Sequence, residues 1–277
     1  MSTPLGVTGA TGVVGGLVAR ALADAGVEQR LVLRDPSRAP ALPGASVAQA
    51  AYGEPEALRR ALDGLDTVLM VSAAESAGRL DEHRCFVDAA ADAGARHVVY
   101  LSFFGAAPDA TFTLARDHYA TEEHLKASGM RWTFLRDNLY ADYLPLFAGT
   151  EHVLRGPAGD GRGAAVAQRD VGAVAAAVLT DAERHAGTTY HLTGPEALTL
   201  AEAAEVMTRV TGAPHRFEDE TLEEAYASRR GYGAPDWQLD AWVSTYTAIA
   251  RGELAGVTGD VERLTGRPAT SLEQLLR

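Results

Sequence analysis

A chain of 277 residues with 47% hydrophobic and 22% charged residues has an ordinary globular composition, long enough for one large domain or a domain with a smaller companion. Its formal net charge of −12 argues against nucleic acid or an anionic membrane as the main partner, since both are themselves negative. The single cysteine, Cys85, excludes an intrachain disulfide and fits a reducing cytoplasm.

Met1-Ser2-Thr3-Pro4 carries no basic side chain, and glycines interrupt the apolar stretch over 4–27, so no secretory signal is expected. No later apolar run approaches the roughly 20 residues of a membrane span. A soluble, cytoplasmic protein is expected. Strands are predicted at Pro4–Thr8, Arg30–Arg34, Ser46–Ala50, Thr67–Val71, His97–Leu101 and Trp132–Arg136. Between them, helical patterns run over Val13–Ala25, Glu54–Leu62, Arg79–Ala93 and Thr113–Ala127, several ending on glycine (Gly26, Gly64, Gly94, Gly129), where a left-handed cap is cheapest. Such regular alternation predicts βαβ units, hence an α/β fold with a doubly wound parallel sheet of the Rossmann type. Cys85, within the third helix, is expected to be a buried structural thiol.

Beyond Asn138 the alternation loosens through a turn-rich loop at Gly156–Gly161. A helix over Asp170–Thr180 and a strand over Thr188–Leu192 are expected to return to the sheet. From Thr199 on the pattern is mainly helical: Leu200–Gly212, Leu222–Arg230, Pro235–Arg251 and Thr258–Leu264. A cofactor-binding Rossmann domain is therefore expected over 1–150, rejoined by 164–193. A smaller, mainly helical lobe on the substrate side takes 194–277 with the 151–163 loop.

Gly9, Gly12 and Gly15 form a GxxGxxG loop between the first strand and the first helix. One glycine permits a tight turn, one lets backbone approach a pyrophosphate, and one allows close helix–strand packing. Among 28 glycines this spacing arises readily by chance; its place at the head of a chain of βα units is what gives it weight. The helix opening at Val13 then turns free N–H groups and a positive dipole end toward phosphates, and Thr11 adds a hydroxyl. The second strand ends at Leu33-Arg34-Asp35, where an acidic residue favours the ribose hydroxyl of NAD and an arginine the 2′-phosphate of NADP. Arg34 points to NADP(H), with Asp35 as the competing residue.

Val7-Thr8-Gly9-Ala10-Thr11-Gly12, Leu33-Arg34-Asp35-Pro36 and Leu135-Arg136-Asp137-Asn138-Leu139-Tyr140 resemble the NmrA-like branch of the atypical short-chain dehydrogenases/reductases. Within that branch the chain is most similar to the bacterial type-two quinone oxidoreductases and triphenylmethane reductases. Asp117–Glu122, Gly159–Arg162 and the tail from Thr258 to Leu272 extend the resemblance over nearly the whole chain. It implies NADP(H) held at the pyrophosphate by Gly9, Thr11, Gly12, Val13 and Val14, with Gly15 in the same loop and Arg34 on the 2′-phosphate. It further implies that Ser72, Ala73 and Ala74 line the cofactor and that Asn138 and Tyr140 lie near the nicotinamide.

The Tyr-x-x-x-Lys pair of ordinary short-chain dehydrogenases is absent, its positions being taken by Leu114 and His118. A simple ketone needs a proton delivered as hydride arrives. A quinone becomes a phenolate-like anion of pKa about 10 and a cationic dye is merely neutralised, so both need less help. His118 is therefore a candidate for contact with cofactor or acceptor, the alternative being a pairing with Glu122 one helical turn away. Ser102 occupies the usual serine position and is a second candidate. No third ligand accompanies His118 and Glu122, and no metal site is expected. The expected function is an NADPH-dependent oxidoreductase acting on a quinone-like or other delocalised small molecule. The alternative is a non-catalytic NADP(H)-binding redox sensor that regulates a partner protein. A homodimer is compatible with either.

Overall fold

The computed structural model describes residues 5–277. Pro4, expected to open the first strand, lies outside the described residues. Strand and helix alternate as β1 (Leu5–Thr8), α1 (Val13–Asp24), β2 (Gln29–Leu33), β3 (Ala45–Gln49), α2 (Pro55–Leu62), β4 (Thr67–Val71), α3 (Arg79–Asp92), β5 (His97–Phe103), α4 (Thr113–Ala127) and β6 (Arg131–Asp137). Then come α5 (Leu144–Ala148), β7 (Val153–Gly156), β8 (Arg162–Gly163), α6 (Gln168–Thr180), β9 (Thr188–Leu192) and β10 (Leu198–Thr199). The chain closes with α7 (Leu200–Thr211), β11 (Arg216–Asp219), α8 (Leu222–Arg230), α9 (Asp236–Ala250), α10 (Asp260–Thr265) and α11 (Leu272–Leu276).

The main sheet has seven strands in the order β3-β2-β1-β4-β5-β6-β9, and β1 pairs in parallel with both β2 and β4. This is the doubly wound order, in which the chain reverses direction between β1 and β4 and leaves a crevice at their carboxyl ends. β4 reads Thr-Val-Leu-Met-Val, and its three middle residues are fully buried, as a strand covered on both faces requires. Gly26, Gly64, Gly94 and Gly129 all take positive φ at the ends of the helices they follow. Among the described residues no helix is long and apolar enough to cross a membrane.

The chain divides into two units. The first comprises the residues up to Ser102 with Asp117–Arg136 and Val171–Tyr190. One of its cores packs Leu58 and Leu62 of α2 and Phe86 and Val87 of α3 with Val68 and Met70 of β4 and Phe134 of β6. Cys85 is half-buried at the edge of this core, and burial together with Asp88 raises its thiol pKa, away from reactivity.

The second unit comprises Phe103–Arg116, Asp137–Asp170 and His191–Arg277. Its core gathers Leu154, Leu200, Met207, Ile249 and Leu254. Capping boxes at Thr199–Glu202, Thr221–Glu224 and Ser271–Gln274 start α7, α8 and α11. β7 and β11 pair in parallel, and β8 pairs with β10 antiparallel. These short strands escape sequence periodicity: β11 is Arg-Phe-Glu-Asp, too brief and too charged to show alternation, and only its partner 63 residues earlier makes it a strand.

Candidate functional site

β1 runs directly into the glycine loop. Gly9 takes φ +67°, and a Cβ there would stand 2.9 Å from the Val71 side chain. Gly12 N–H donates to the Gly9 carbonyl at 2.9 Å, closing the turn. A Cβ on Gly15 would stand 2.3 Å from that same oxygen, so α1 packs against the loop at a distance only glycine allows. Thr11, Gly12 and Val13 are exposed, whereas Val14 and Gly15 are buried. The loop is anchored from beneath by Thr8, whose hydroxyl donates to the Leu69 carbonyl and accepts from the Val71 amide. Tyr52, 2.6 Å from that hydroxyl, donates in turn to the Val71 carbonyl.

After β2, Asp35 does not stand free beside Arg34. Its carboxylate accepts from the Ser37 amide at 3.0 Å and the Ser37 hydroxyl at 2.7 Å, capping a single 3₁₀ turn, and these bonds lower its pKa. Arg34 is exposed and forms no ion pair among the described residues, which leaves the guanidinium available to an anion.

Ser72, Ala73 and Ala74 follow β4, the strand beside β1. Side chains from α3 hold both polar groups of Ala73: its N–H donates to His83 Nε2 at 2.9 Å, and its carbonyl accepts from Arg79 Nε at 3.0 Å. Those two contacts fix the protonation of a buried network. His83 accepts through Nε2, so Nδ1 carries the hydrogen, which it gives to Thr121 Oγ1 at 2.9 Å; the Thr121 hydroxyl donates to the Asp117 carbonyl. Arg79 Nη2 lies 2.8 Å from His118 Nε2, and an arginine can only donate. His118 Nδ1–H therefore donates to the Tyr100 hydroxyl at 2.9 Å. Both rings are neutral: burial and Arg79 push His83 down to about 3 and His118 well below its ordinary value. Arg79, 4% exposed, pairs at 3.5 Å with Asp117.

His118 thus sits with its nitrogens turned to Tyr100 and Arg79, a positioning residue behind the Ala73 loop. Glu122 is engaged elsewhere, by Arg136 at 2.5 Å and by the Ser102 hydroxyl at 2.6 Å. Ser102 is completely buried and gives its proton to that carboxylate, so the hydroxyl has none left to offer an acceptor.

In the second unit, Asn138 is 1% exposed and serves as a backbone clamp. Its amide nitrogen donates to the Leu254 carbonyl at 3.0 Å, and its side-chain oxygen accepts from the Leu139 N–H at 2.8 Å. Tyr140 Oη lies 2.5 Å from Asp137 Oδ2. Burial pushes the Asp137 carboxyl up to about 8, against the lowering effect of the Tyr140 bond, and holds the Tyr140 phenol well above its ordinary range. The Tyr140 ring meets Tyr143 edge-on, and Tyr143 meets Phe147.

The sequence model of the NAD(P)H-binding family matches residues 9–182, a span that opens on the glycine loop. The chain belongs to the NAD(P)H-binding family. It is 38% identical over 268 residues to a (4-alkanoyl-5-oxo-2,5-dihydrofuran-3-yl)methyl phosphate reductase of Streptomyces griseus, covering 95% of this chain and 93% of the relative. It is 32% identical to an NAD(P)H azoreductase of Xenophilus azovorans, covering 98% and 96%. The NADPH-dependent quinone oxidoreductase QOR2 of Escherichia coli, solved with NADPH, superposes with a TM-score of 0.90 at 31% identity over 98% of both chains.

For a member of the NAD(P)H-binding family, the loop fits its cofactor on geometry. The cap of α1 is a glycine with no side-chain acceptor, its first turn carries no acidic residue, and the first amide turned back onto the helix is Gly16. The positive end of the dipole is left to a diphosphate. Arg79, His83, Tyr100, Thr121 and Asp137 were not singled out from sequence. The only signal for the first two is their i, i+4 spacing, which puts them on one face of α3.

Proposed function

We propose that this NAD(P)H-dependent oxidoreductase carries hydride from NADPH to a planar, delocalised small molecule of the quinone class. The state of His118 carries the proposal. At the helix positions where an acid–lysine pair would stand the chain has Leu114 and His118, and the imidazole is neutral, with its lone pair on Arg79 and its proton on Tyr100. His118 therefore has no proton to give. A strongly basic alkoxide calls for one as hydride arrives, whereas an acceptor that spreads the charge can take its proton afterwards from a weaker acid elsewhere in the chain. The azoreductase and the oxo-dihydrofuran phosphate reductase are both named for conjugated acceptors, which supports the same class.

When bound, NADPH supplies the hydride. Gly9, Thr11, Gly12, Val13, Val14 and Gly15 hold its diphosphate, Arg34 its 2′-phosphate, and Ser72, Ala73 and Ala74 flank it, with Ala73 held by Arg79 and His83. His118 supports Ala73 from behind through Arg79, Ser102 is held on Glu122, and Asn138 sets the backbone that carries Tyr140. In this proposal the first unit binds the cofactor and the second shapes the acceptor.

NADPH oxidation with a panel of quinones, followed for wild type and Arg34→Ala, tests it. Turnover is expected, and loss of the Arg34 charge-assisted bonds weakens NADPH about 10- to 100-fold while leaving NADH nearly unchanged. Equal weakening of both cofactors would remove Arg34 from the 2′-phosphate. Cofactor binding without turnover on any acceptor would favour the redox sensor.

A further inference from the structure

We propose that Asp137 is the proton reservoir for the reduced acceptor, and that Tyr140 hands its proton over. The inference rests on the hydride-transfer function above and adds the residues that complete the reaction. Three observations in the second unit carry it.

First, Asp137 is 5% exposed and accepts from the Tyr140 hydroxyl through Oδ2 at 2.5 Å, close enough for a proton to pass back from one oxygen to the other once that hydroxyl turns to the acceptor. Second, Tyr140 is half-buried as a residue while its hydroxyl is itself buried beside the carboxyl, so the pair is kept from bulk water behind the ring. Third, the Tyr140 ring is the inner member of a row that continues through Tyr143 to Phe147. At its outer end Phe147 is 58% and Leu146 71% exposed. A row of rings leading to a phenol is a surface suited to a planar conjugated molecule.

The chemistry balances. After accepting hydride, which is two electrons and one proton, a quinone is a hydroquinone monoanion. The Tyr140 O–H bond breaks as the new O–H bond forms on the anionic oxygen. The Asp137 carboxyl proton moves onto the Tyr140 oxygen, leaving a carboxylate, and a proton from water restores the acid. Tyr140 is the catalytic residue because it touches the acceptor; Asp137 acts through it. Burial holds Asp137 up to about 8, so the carboxyl is protonated at neutral pH. The ionisable groups acting on the pair are Tyr143 and Asp142 of the following turn, which raise Tyr140 further, and the neighbouring Arg136 is committed to Glu122.

The test compares wild type, Asp137→Asn and Tyr140→Phe in NADPH oxidation with menadione from about pH 6 to about pH 9.5. Wild-type kcat/KM is expected to fall with rising pH through about 8, tenfold per unit. Asp137→Asn should lose that limb and run about 100-fold slower at pH 7, as should Tyr140→Phe, with NADPH affinity unchanged in both. Infrared spectra give a readout independent of turnover: a protonated-carboxyl C=O band present at pH 7, lost in alkali and missing from Asp137→Asn. An Asp137→Asn enzyme that keeps the wild-type rate or the alkaline limb overturns the inference, as does absence of the band at pH 7. A wild type that shows the band, binds NADPH and reduces no acceptor refutes the hydride-transfer function instead.

Discussion

A single methyl group at Gly15 would put carbon 2.3 Å from the Gly9 carbonyl oxygen, a contact no rotamer change relieves because both partners are backbone. Gly15→Ala must push α1 off the loop. It is expected to cost about 1–3 kcal/mol, the usual range for overpacking, and to abolish NADPH binding. Thermal unfolding and fluorescence titration with NADPH measure the two effects, and a variant that binds normally would contradict the cradle. This loop was legible in the sequence because its requirement is local: steric freedom is written in residue type at fixed spacing. Arg34 is proposed for the 2′-phosphate on the same local ground, whereas the fate of Asp35 was not legible. Whether its carboxylate faced a ribose or Ser37 depended on a turn of one residue's difference, and Ser37 takes it. His118 and Ser102 were found as residues and misjudged in reach, since partners 39 and 20 residues away in sequence consume their polar atoms.

The connection from β4 to α3 shows how an element positions a loop it does not contain. Arg79 and His83 project from one face of α3 and take the carbonyl and the amide of Ala73, so the loop is held by a helix rather than by its own turn. Replacing Arg79 with Met would leave the Ala73 carbonyl, His118 Nε2 and Asp117 without their cation. Leaving buried acceptors of this kind without their donor costs about 1–3 kcal/mol. Arg79→Met is therefore expected to lower stability by that order and to raise KM for NADPH in the folded fraction. Arg79→Lys, a point charge without the fork, should restore stability in part and KM little. A Met variant with wild-type stability and KM would show that the network holds nothing. Periodicity revealed α3 itself, because a helix of 14 residues repeats its pattern several times. The strands β7 and β11 were invisible, being four residues each and stabilised by pairing with one another.

Across the whole molecule, buried titratable groups set how stability depends on pH. His83 is pushed down to about 3 and His97 to about 4, with His118 well below its ordinary value, burial being the first cause in each. Unfolding returns each ring to about 6.5, so below that pH the unfolded chain takes up protons the folded chain refuses. Stability then falls on acidification by about 1.4 kcal/mol per pH unit for each ring. Asp137 has the opposite sign. Folded it holds its proton up to about 8, while its ordinary value is 3.8, so its contribution is complete in acid and is lost as pH rises between them. Three rings outweigh one carboxyl below about pH 6.5, and the carboxyl acts alone above it. The unfolding midpoint is expected to peak near about pH 6.5, and Asp137→Asn should flatten the alkaline side. A profile level from about pH 5 to about pH 8 would show that these groups are not buried in solution. The central claim, that this NAD(P)H-binding chain delivers hydride to a delocalised acceptor, is tested most directly by NADPH deuterated at the transferring position of the nicotinamide. With menadione, NADPH should disappear one for one with quinone reduced, and the deuterated cofactor should react more slowly in a single turnover. Tight binding of NADPH with no consumption, whether a quinone, an azo compound or a conjugated enone is offered, would contradict it.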